Sequence, residues 1–395
     1  MRLLIILDIY VPARISAAVQ MRDLAVEFVR QGHRPTVAVP APDLDRAWVI
    51  EHLDGVEVLR VRALRTKDVG QARRALAELL LPVLLLRGLS RSPLGRESWE
   101  GVIWYSPTIF LGPMVRVLKR RLGIKGYLIL RDIFPDWAVD SGVLRRGLVY
   151  RFFKWIERYQ YGVADVIGVQ SPGNVPLVRA TATRGHPRIE VLDNWLSEPG
   201  ISRTGISLAA TALAGKTLFV YAGNMGAAQG MGSLLKLALD LRHRDDVGFL
   251  FVGRGSEMER MREHVTRGDL RRVMFINEID ANEIPALLAQ CHVGMIALDP
   301  YHTTHNIPGK FLTYLRAGLP VLACINPGND LEQVIHDEGV GCVCTDAAGE
   351  SLRQLAEKLL DTPGLRAEMA ARGRALAERD YAPAAAARKI LSGLL

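Results

Sequence analysis

The feature that most constrains the fold is a regular alternation of short apolar runs with helical patterns, which occurs in two successive series. The first series begins with Leu3–Leu7 and continues through Pro35–Pro40 to Ile189–Leu192. Because continuous apolar runs suit strands that are buried on both faces, the alternation predicts a parallel sheet covered by helices. A second series of the same kind runs from Thr217–Ala222 to Val340–Cys344. The sequence therefore predicts two Rossmann-like α/β domains.

The stretch between the two series, residues 196–216, has scattered Gly, Ser and Pro and little apolar regularity. We interpret it as a linker that joins a first domain, 1–195, to a second domain, 217–383. The length of 395 residues supports this division, because it exceeds what one ordinary hydrophobic core accommodates. In parallel sheets, ligands bind beyond the carboxyl ends of the strands. Three loops of the first domain should therefore line one crevice: residues 8–16, 106–108 and 131–140.

Charge is distributed unevenly between the two halves of the chain. Residues 1–195 contain 29 Lys and Arg against 19 Asp and Glu, whereas residues 196–395 contain 21 against 23. The basic half indicates an anionic partner that the other half does not share. Two of its stretches, Gln71–Arg91 and Arg145–Tyr161, mix cations with apolar or aromatic residues and are typical of helices in a membrane interface. Alternatively, each is a helix that covers the sheet and turns its basic side to solvent.

Other partners and compartments are disfavoured by the sequence. No signature of a nucleic-acid-binding fold accompanies the basic stretches, so we expect no nucleic acid partner. We also expect no transmembrane helix, because no apolar run approaches the ~18–20 residues needed, and no signal peptide, because Leu3–Leu7 leads to Asp8 without a cleavage pattern. The four cysteines lie in or beside apolar strands and suit reduced thiols in the cytosol. They are Cys291, Cys324, Cys342 and Cys344.

The stretch 299–330 of the second series has the pattern of a ligand-binding loop followed by a helix. The apolar run Val293–Leu298 precedes a polar loop, and Lys310 opens a short amphipathic helix that should end at Gly318. A loop that passes a glycine and a lysine into a helix presents N–H groups and a positive charge together, which suits a diphosphate. On these residues alone, a surface turn whose lysine faces water explains the pattern equally well.

Glycines also follow two earlier strands of the second series. Gly223 and Gly226 come after the first strand, and the run from Gly253 to Gly255 brings Arg254 to the end of the next. Because the carboxyl ends of parallel strands meet at one edge, Arg254 and Lys310 should offer cations to the same crevice. Two cations beside glycine loops suit a leaving diphosphate, whose developing charge must be stabilised.

A family resemblance rests on the block that contains Lys310. Pro308-Gly309-Lys310, Tyr314, Ala317-Gly318 and Pro320-Val321 resemble the corresponding block of retaining family 4 glycosyltransferases. The resemblance covers essentially the whole chain. It is nearest to bacterial surface-polysaccharide transferases that add N-acetyl-L-fucosamine or a related 6-deoxy amino sugar. It implies the GT-B fold, with two Rossmann-like domains facing across a cleft and a terminal helix, 384–395, packed on the first domain.

The resemblance also implies an activity. The second domain would bind a UDP-sugar, and the first would bind an undecaprenyl-diphosphate-linked saccharide of O-antigen, capsule or lipopolysaccharide biosynthesis, at the cytoplasmic membrane face. Anomeric configuration would be retained, and no metal or other cofactor would be required. By position, the expected catalytic residues are Asp132, Arg254 and Lys310, and Ser16 and Arg131 lie on the acceptor side. The expected donor-binding residues are Gly223, Asn224, Gly226, Gln229, Arg254, Asn277, Ile279, His305, Pro308, Gly309, Lys310, Phe311 and Thr313.

Four of these positions depart from the family pattern. Thr313 and His305 stand where the family has glutamates, and Gln229 and Asn224 stand where a lysine and an arginine are usual. Because two acidic and two basic contacts are lost together, the changes balance in charge and suit a subfamily that holds its donor differently. Two alternatives remain open at this point. They are a nucleotide-sugar 2-epimerase of the same architecture and a non-catalytic subunit of a polysaccharide-synthesis complex.

Overall fold

The computed structural model describes residues 1–13, 15–66, 69–140, 142–198, 200, 202–226, 229–299, 307–346 and 350–395. The chain divides into two compact units. Unit 1 comprises Met1–Ser197 and Pro383–Leu395, and unit 2 comprises Glu198–Ala382. Among the helices of the described residues, none is long and apolar enough to cross a membrane.

The strands and helices are numbered along the chain. The strands are β1 (Arg2–Ile6), β2 (Arg34–Pro40), β3 (Trp48–Leu53), β4 (Val56–Val61), β5 (Gly101–Ser106), β6 (Lys125–Leu130), β7 (Val166–Val169), β8 (Arg188–Val191), β9 (Thr217–Ala222), β10 (Val247–Gly253), β11 (Val273–Asn277), β12 (Val293–Ala297), β13 (Val321–Cys324) and β14 (Gly341–Cys344). The helices are α1 (Ser16–Arg30), α2 (Gln71–Arg91), α3 (Gly112–Leu122), α4 (Asp136–Asp140), α5 (Leu148–Tyr161), α6 (Asn174–Thr181), α7 (Met231–Asp240), α8 (Met258–Arg267), α9 (Ile284–Leu288), α10 (Gly309–Ala317), α11 (Asp330–Glu338), α12 (Glu350–Asp361), α13 (Pro363–Arg379) and α14 (Pro383–Leu394).

Unit 1 is built on an eight-stranded sheet in the order β3-β4-β2-β1-β5-β6-β7-β8. Neighbouring strands are parallel except β3 and β4, which form an antiparallel hairpin at one edge. One face of the sheet carries α2 and α3, and the other carries α1 and α14. The C-terminal helix α14 thus packs within unit 1, where Ile390 is fully buried.

Unit 2 has a six-stranded parallel sheet in the order β11-β10-β9-β12-β13-β14. The chain runs from β9 toward β11 on one side and then restarts at β12 on the other. The strand order therefore reverses between β9 and β12, and crevices for ligands form at such a reversal, beyond the carboxyl ends of the strands. Residues around Gly223 and Asp299 follow these two strands.

The stretch between the two series makes contacts inside unit 2. The Ser202 hydroxyl accepts a hydrogen bond from the Ala286 N–H at 3.0 Å, and the Leu208 N–H donates to the Gln290 amide oxygen at 2.9 Å. Leu208 is buried. Much of the segment 196–216 is therefore held against unit 2, although its sequence lacks apolar regularity.

The hairpin of β3 and β4 is an element that the alternation of apolar runs did not predict. The two strands are joined by Asp54 and Gly55, whose φ angles are +52° and +81°. An Asp-Gly pair with positive φ at both positions is the preferred two-residue hairpin turn, so this dipeptide was the available signal. The strand was missed because Trp48–Leu53 is only half-buried and does not read as an apolar run.

The contact that fixes α10 on the sheet of unit 2 joins Tyr314 to two strands. The Tyr314 ring is fully buried, and a Cβ added to Gly294 of β12 would lie 2.4 Å from it. The Ala222 N–H, at the end of β9, donates to the Tyr314 hydroxyl oxygen at 2.9 Å. Glycine at 294 therefore makes room for a side chain that ties α10 to the carboxyl end of β9.

Replacing Gly294 should consequently destabilise unit 2. We expect Gly294→Ala to cost about 1–3 kcal/mol of unfolding free energy, because the added methyl overlaps the Tyr314 ring and the core must shift. The matched control is Gly232→Ala on α7, where a Cβ meets nothing within 4 Å and alanine should be neutral or slightly stabilising. Urea unfolding of the full chain measures both. Equal midpoints for the two variants would contradict this account of the packing.

Candidate functional site

The glycine loops that follow β9 and β10 are joined by main-chain hydrogen bonds. The Met225 N–H donates to the Arg254 carbonyl at 2.7 Å. Gly253 has φ of +142°, and a Cβ there would lie 2.0 Å from the Gly223 carbonyl oxygen. Gly255 has φ of +153°, and a Cβ there would lie 2.3 Å from the Met225 carbonyl group. Only glycine fits these two positions, and the two loops form one rigid shelf, which we call the glycine shelf (223–226 and 253–255).

Lys310, in the first turn of α10, reaches back to the end of β9. Its Nζ donates to the Tyr221 hydroxyl oxygen at 3.0 Å and to the Gln229 amide oxygen at 3.0 Å. Nζ also lies 4.5 Å from the centroid of the Tyr221 ring. A Cβ at Gly223 would lie 3.5 Å from the Lys310 Cε. The structure thus brings together three of the predicted donor-binding residues, Gly223, Gln229 and Lys310.

Tyr221 completes this cluster and was not among the predicted site residues. Its hydroxyl donates to the Asn224 carbonyl at 2.6 Å and accepts from Lys310, so it links the shelf to α10. A tyrosine at the end of an otherwise apolar strand is a usable signal, since a buried hydroxyl requires a partner. The sequence could not show that the partner is a lysine 89 positions away.

The electrostatic state of Lys310 is unusual. Burial lowers the pKa of its ammonium to about 8. Burial also raises the pKa of Tyr221, so this hydroxyl stays neutral, and the Gln229 amide carries no charge. The two acceptors therefore hydrogen-bond the cation without neutralising it. A partly desolvated cation with neutral partners, next to a glycine shelf, favours an anionic ligand.

The N-terminal turn of α10 has no side-chain cap among the described residues. Pro308 occupies the N-cap position. The Phe311 ring is fully buried and its N–H donates to the Pro308 carbonyl at 2.9 Å, so Phe311 supports the turn. Thr313 is half-buried and donates to the Gly309 carbonyl at 3.3 Å. His305 lies outside the described residues.

The remaining predicted residues of unit 2 lie on its surface. Arg254 is exposed and pairs with Glu278 at 3.2 Å. Asn277 is exposed, and its amide oxygen accepts from Arg262 at 2.9 Å. Ile279 follows in the same loop and is half-buried. Arg254 therefore projects from the glycine shelf and pairs with Glu278. It forms no ion pair in the described residues with the Lys310 cluster, which consists of Lys310, Tyr221 and Gln229.

In unit 1 the predicted residues separate into a structural group and an exposed group. Arg131 is buried: its guanidinium donates to the Leu192 carbonyl at 2.7 Å and lies 5.1 Å from the Trp195 ring centroid. Arg131 thus holds the chain after β8, a role that its position on the acceptor side did not suggest. Asp132 is half-buried, and burial raises the pKa of its carboxyl group. Ser16 is exposed at the start of α1.

A buried charge cluster fixes the segment that follows Asp132. Lys154 of α5 lies 2.6 Å from Asp136 and 2.5 Å from Glu157, and Tyr150 donates to Asp136 at 2.7 Å. Glu157 is fully buried, and burial raises the pKa of its carboxyl group to about 7. Removing one partner of such a pair is costly, so the cluster holds α4 firmly against α5.

Comparison with known proteins finds similarity to glycosyltransferases over part of the chain. Residues 216–362 match the family described as Glycosyl transferases group 1. The protein described as "Probable glycosyltransferase WbjE" from Pseudomonas aeruginosa is 25% identical over 251 residues, which are 62% of this chain and 62% of that protein. The match thus spans about 62% of the length of this curated relative. The resemblance to glycosyltransferases that the sequence predicted is thus supported over residues 216–362.

Solved structures match over almost the whole chain. Sucrose-phosphate synthase from Thermosynechococcus elongatus has a TM-score of 0.73 at 14% identity, over 99% of this chain and 98% of that one. Anabaena HepE in complex with UDP has a TM-score of 0.70 at 13% identity, over 100% and 99%. WaaG, a glycosyltransferase involved in lipopolysaccharide biosynthesis, has 0.62 at 15% identity, over 98% and 99%. The predicted fold class, two parallel-sheet α/β domains of the GT-B type, is confirmed.

The burial of Lys310 predicts that its amine titrates near pH 8. The measurement is NMR titration of the protein with isotopically labelled lysine side chains, in which Lys310→Arg assigns the signal by its loss. An inflection near pH 8 is the expected outcome. An inflection above pH 10 would show that the amine is solvated and would contradict the cluster with Tyr221 and Gln229.

Proposed function

We propose that this protein is a retaining, metal-independent glycosyltransferase that uses a UDP-sugar donor. The observation that carries the proposal is the Lys310 cluster, formed by Lys310, Tyr221 and Gln229: a desolvated ammonium with neutral partners, beside the glycine shelf and the first turn of α10. Two findings support it. Residues 216–362, which include the cluster, match group 1 glycosyltransferases, and HepE, which shares the fold, was solved with UDP.

In the proposed reaction, unit 2 stabilises the leaving diphosphate. As the bond between the anomeric carbon and the diphosphate oxygen breaks, negative charge develops on that oxygen, and fixed donors placed there lower the barrier. Lys310 supplies a charge, and the main chain of the glycine shelf and of the α10 turn supplies N–H dipoles. We propose that Arg254 also binds this diphosphate. To do so, its guanidinium must leave Glu278 and pair with the ligand instead.

We assign the acceptor hydroxyl to Asp132 of unit 1. The acceptor oxygen forms the new bond to the anomeric carbon and loses its proton. A carboxylate whose pKa is raised by burial is a better proton acceptor than an exposed one. The proposed acceptor is a lipid-linked saccharide, carried on undecaprenyl diphosphate, of O-antigen, capsule or lipopolysaccharide synthesis. The proposed donor sugar is N-acetyl-L-fucosamine or a related 6-deoxy amino sugar, transferred at the cytoplasmic face of the membrane.

The direct test is a transfer assay with a panel of UDP-sugars that includes UDP-N-acetyl-L-fucosamine. The acceptor is an undecaprenyl-diphosphate-linked GlcNAc, the product is identified by mass spectrometry, and its anomeric configuration is read by NMR. Absence of transfer across the panel, by a chain shown to be folded, would overturn the proposal. Turnover of UDP-GlcNAc without acceptor would identify an epimerase instead, and donor binding without any turnover would identify a non-catalytic subunit.

Substitution of the two proposed diphosphate cations should slow transfer strongly. Lys310→Ala and Arg254→Ala are each expected to lower kcat by on the order of 10²-fold or more, because each removes charge stabilisation from the transition state. Lys236→Ala is the matched control, since Lys236 is an exposed lysine of α7 paired with Asp240. Initial rates at saturating donor provide the comparison. Rates within a few-fold of the unsubstituted chain would remove the residue concerned from the mechanism.

Donor binding should also depend on pH through Lys310. A diphosphate stabilises the charged amine, so binding raises its pKa from about 8 and takes up protons at and above that pH. Affinity for UDP should therefore fall, by up to about tenfold per pH unit above 8. Calorimetry in buffers of different ionisation enthalpy counts the protons. Lys310→Arg should bind without this proton uptake, and uptake that persists in that variant would assign the effect to another group.

A further inference from the structure

The segment from α4 to α5 exposes several large apolar side chains. Leu148 is 82% exposed, Val143 is 74% exposed and Trp155 is 62% exposed. Val149 and Phe152 are also exposed. Leu148, Phe152 and Trp155 recur at intervals of four and three residues, so they form one stripe along α5. Soluble monomers rarely expose such a contiguous group, and its presence marks an interaction surface.

This stripe is additional to the face by which α5 is anchored in unit 1. On the inner face, the Phe153 ring lies 5.0 Å from Phe134 and 6.3 Å from Phe110. Ile156 and Glu157 are buried there. The inner face is therefore fully used by the core and by the buried charge cluster. The exposed stripe lies beside this face, and its ring contacts are with neighbouring residues of α5, Phe153 and Tyr159.

The charges around the stripe are almost all positive. Among residues 142–161 the exposed charged side chains are Arg145, Arg146, Arg151 and Arg158. The acidic residue of this segment, Glu157, is fully buried against Lys154. In the described part of this segment, the exposed surface thus combines aromatic and aliphatic groups with arginines and presents no carboxylate.

Helix α2 continues the same surface on the other side of α3. Its exposed apolar residues are Leu76, Leu79, Leu80 and Val83. Four arginines are exposed on it as well, Arg73, Arg74, Arg87 and Arg91. Both α2 and α5 pack against α3, whose Arg116, Arg120 and Arg121 are exposed. Each of these three neighbouring helices thus exposes arginines, and α2 and α5 add exposed apolar side chains.

We propose that this surface of α2, α3 and α5, the cationic helix face, docks on an anionic lipid bilayer. Charge complementarity selects the partner: arginines bind lipid phosphates, while Trp155 and the leucines enter the boundary between headgroups and acyl chains. A bilayer accepts both components without requiring a shaped pocket. The inference rests on unit 1 alone, so failure of the proposed transferase reaction would leave it standing.

Vesicle cosedimentation of the full chain tests this proposal. We expect binding to vesicles of phosphatidylglycerol and phosphatidylcholine, little binding to phosphatidylcholine alone, and weakening with salt. To test the apolar contribution, Leu148→Ser is compared with Leu395→Ser, because both leucines are 82% exposed. Leu395 is the control, since it follows α14 on the opposite side of the sheet. Leu148→Ser should lower the partition constant by about threefold or more, whereas Leu395→Ser should not change it.

The contribution of the arginines is tested in the same way, by comparing substitutions on the cationic helix face with substitutions at exposed arginines elsewhere. Arg145→Gln with Arg151→Gln should lower anionic-vesicle binding by about tenfold or more, because each arginine near the surface is attracted to anionic lipid. Arg30→Gln with Arg388→Gln, at exposed positions of α1 and α14, should retain it. Circular dichroism confirms that each variant is folded. Equal binding to neutral and anionic vesicles, or no effect of the face variants, would overturn the proposal. So would preferential binding of an oligonucleotide, or dimerisation that Leu148→Ser abolishes.

Discussion

The position of the candidate site depends on how Tyr314 is held between two strands of unit 2. Its ring occupies the space that Gly294 leaves above β12. Its hydroxyl oxygen accepts a hydrogen bond from the N–H of Ala222, the last residue of β9. Four residues before Tyr314, Lys310 is carried on the same face of α10, one helical turn closer to the strand ends. The cation is therefore placed by the packing of a tyrosine, and its distance to Tyr221 and Gln229 follows from that packing.

Lys154 and Lys310 illustrate two uses of a desolvated charge. Lys154 lies between Asp136 and Glu157, so its charge is compensated and the cluster serves to hold α4 and α5 together. Burial lowers the pKa of Lys310, and its hydrogen-bond acceptors carry no charge that would offset this. A compensated ion pair adds rigidity but attracts a charged ligand only weakly. An uncompensated cation, in contrast, is stabilised when an anion binds beside it.

The sequence predicted the two sheets well, because buried parallel strands read as apolar runs whatever surrounds them. It also predicted the helix that Lys310 opens and its end at Gly318, where the backbone is left-handed. It did not predict β3, whose half-buried residues lack a clear pattern. Nor could it assign Tyr221 to the site or Arg131 to the framework, because both roles depend on contacts between residues more than sixty positions apart.

The glycine shelf separates the scaffold of the site from the side chains that project from it. Its path is set by main-chain hydrogen bonds and by the missing Cβ atoms of Gly253 and Gly255. Among the described residues, the Arg254 side chain pairs with Glu278 rather than with either loop, and no side-chain hydrogen bond of Asn224 holds the loops. Selection can therefore exchange amides and cations at these two positions without disturbing the loops. A change at either position can then alter ligand preference, while the two glycines keep the path of the loops.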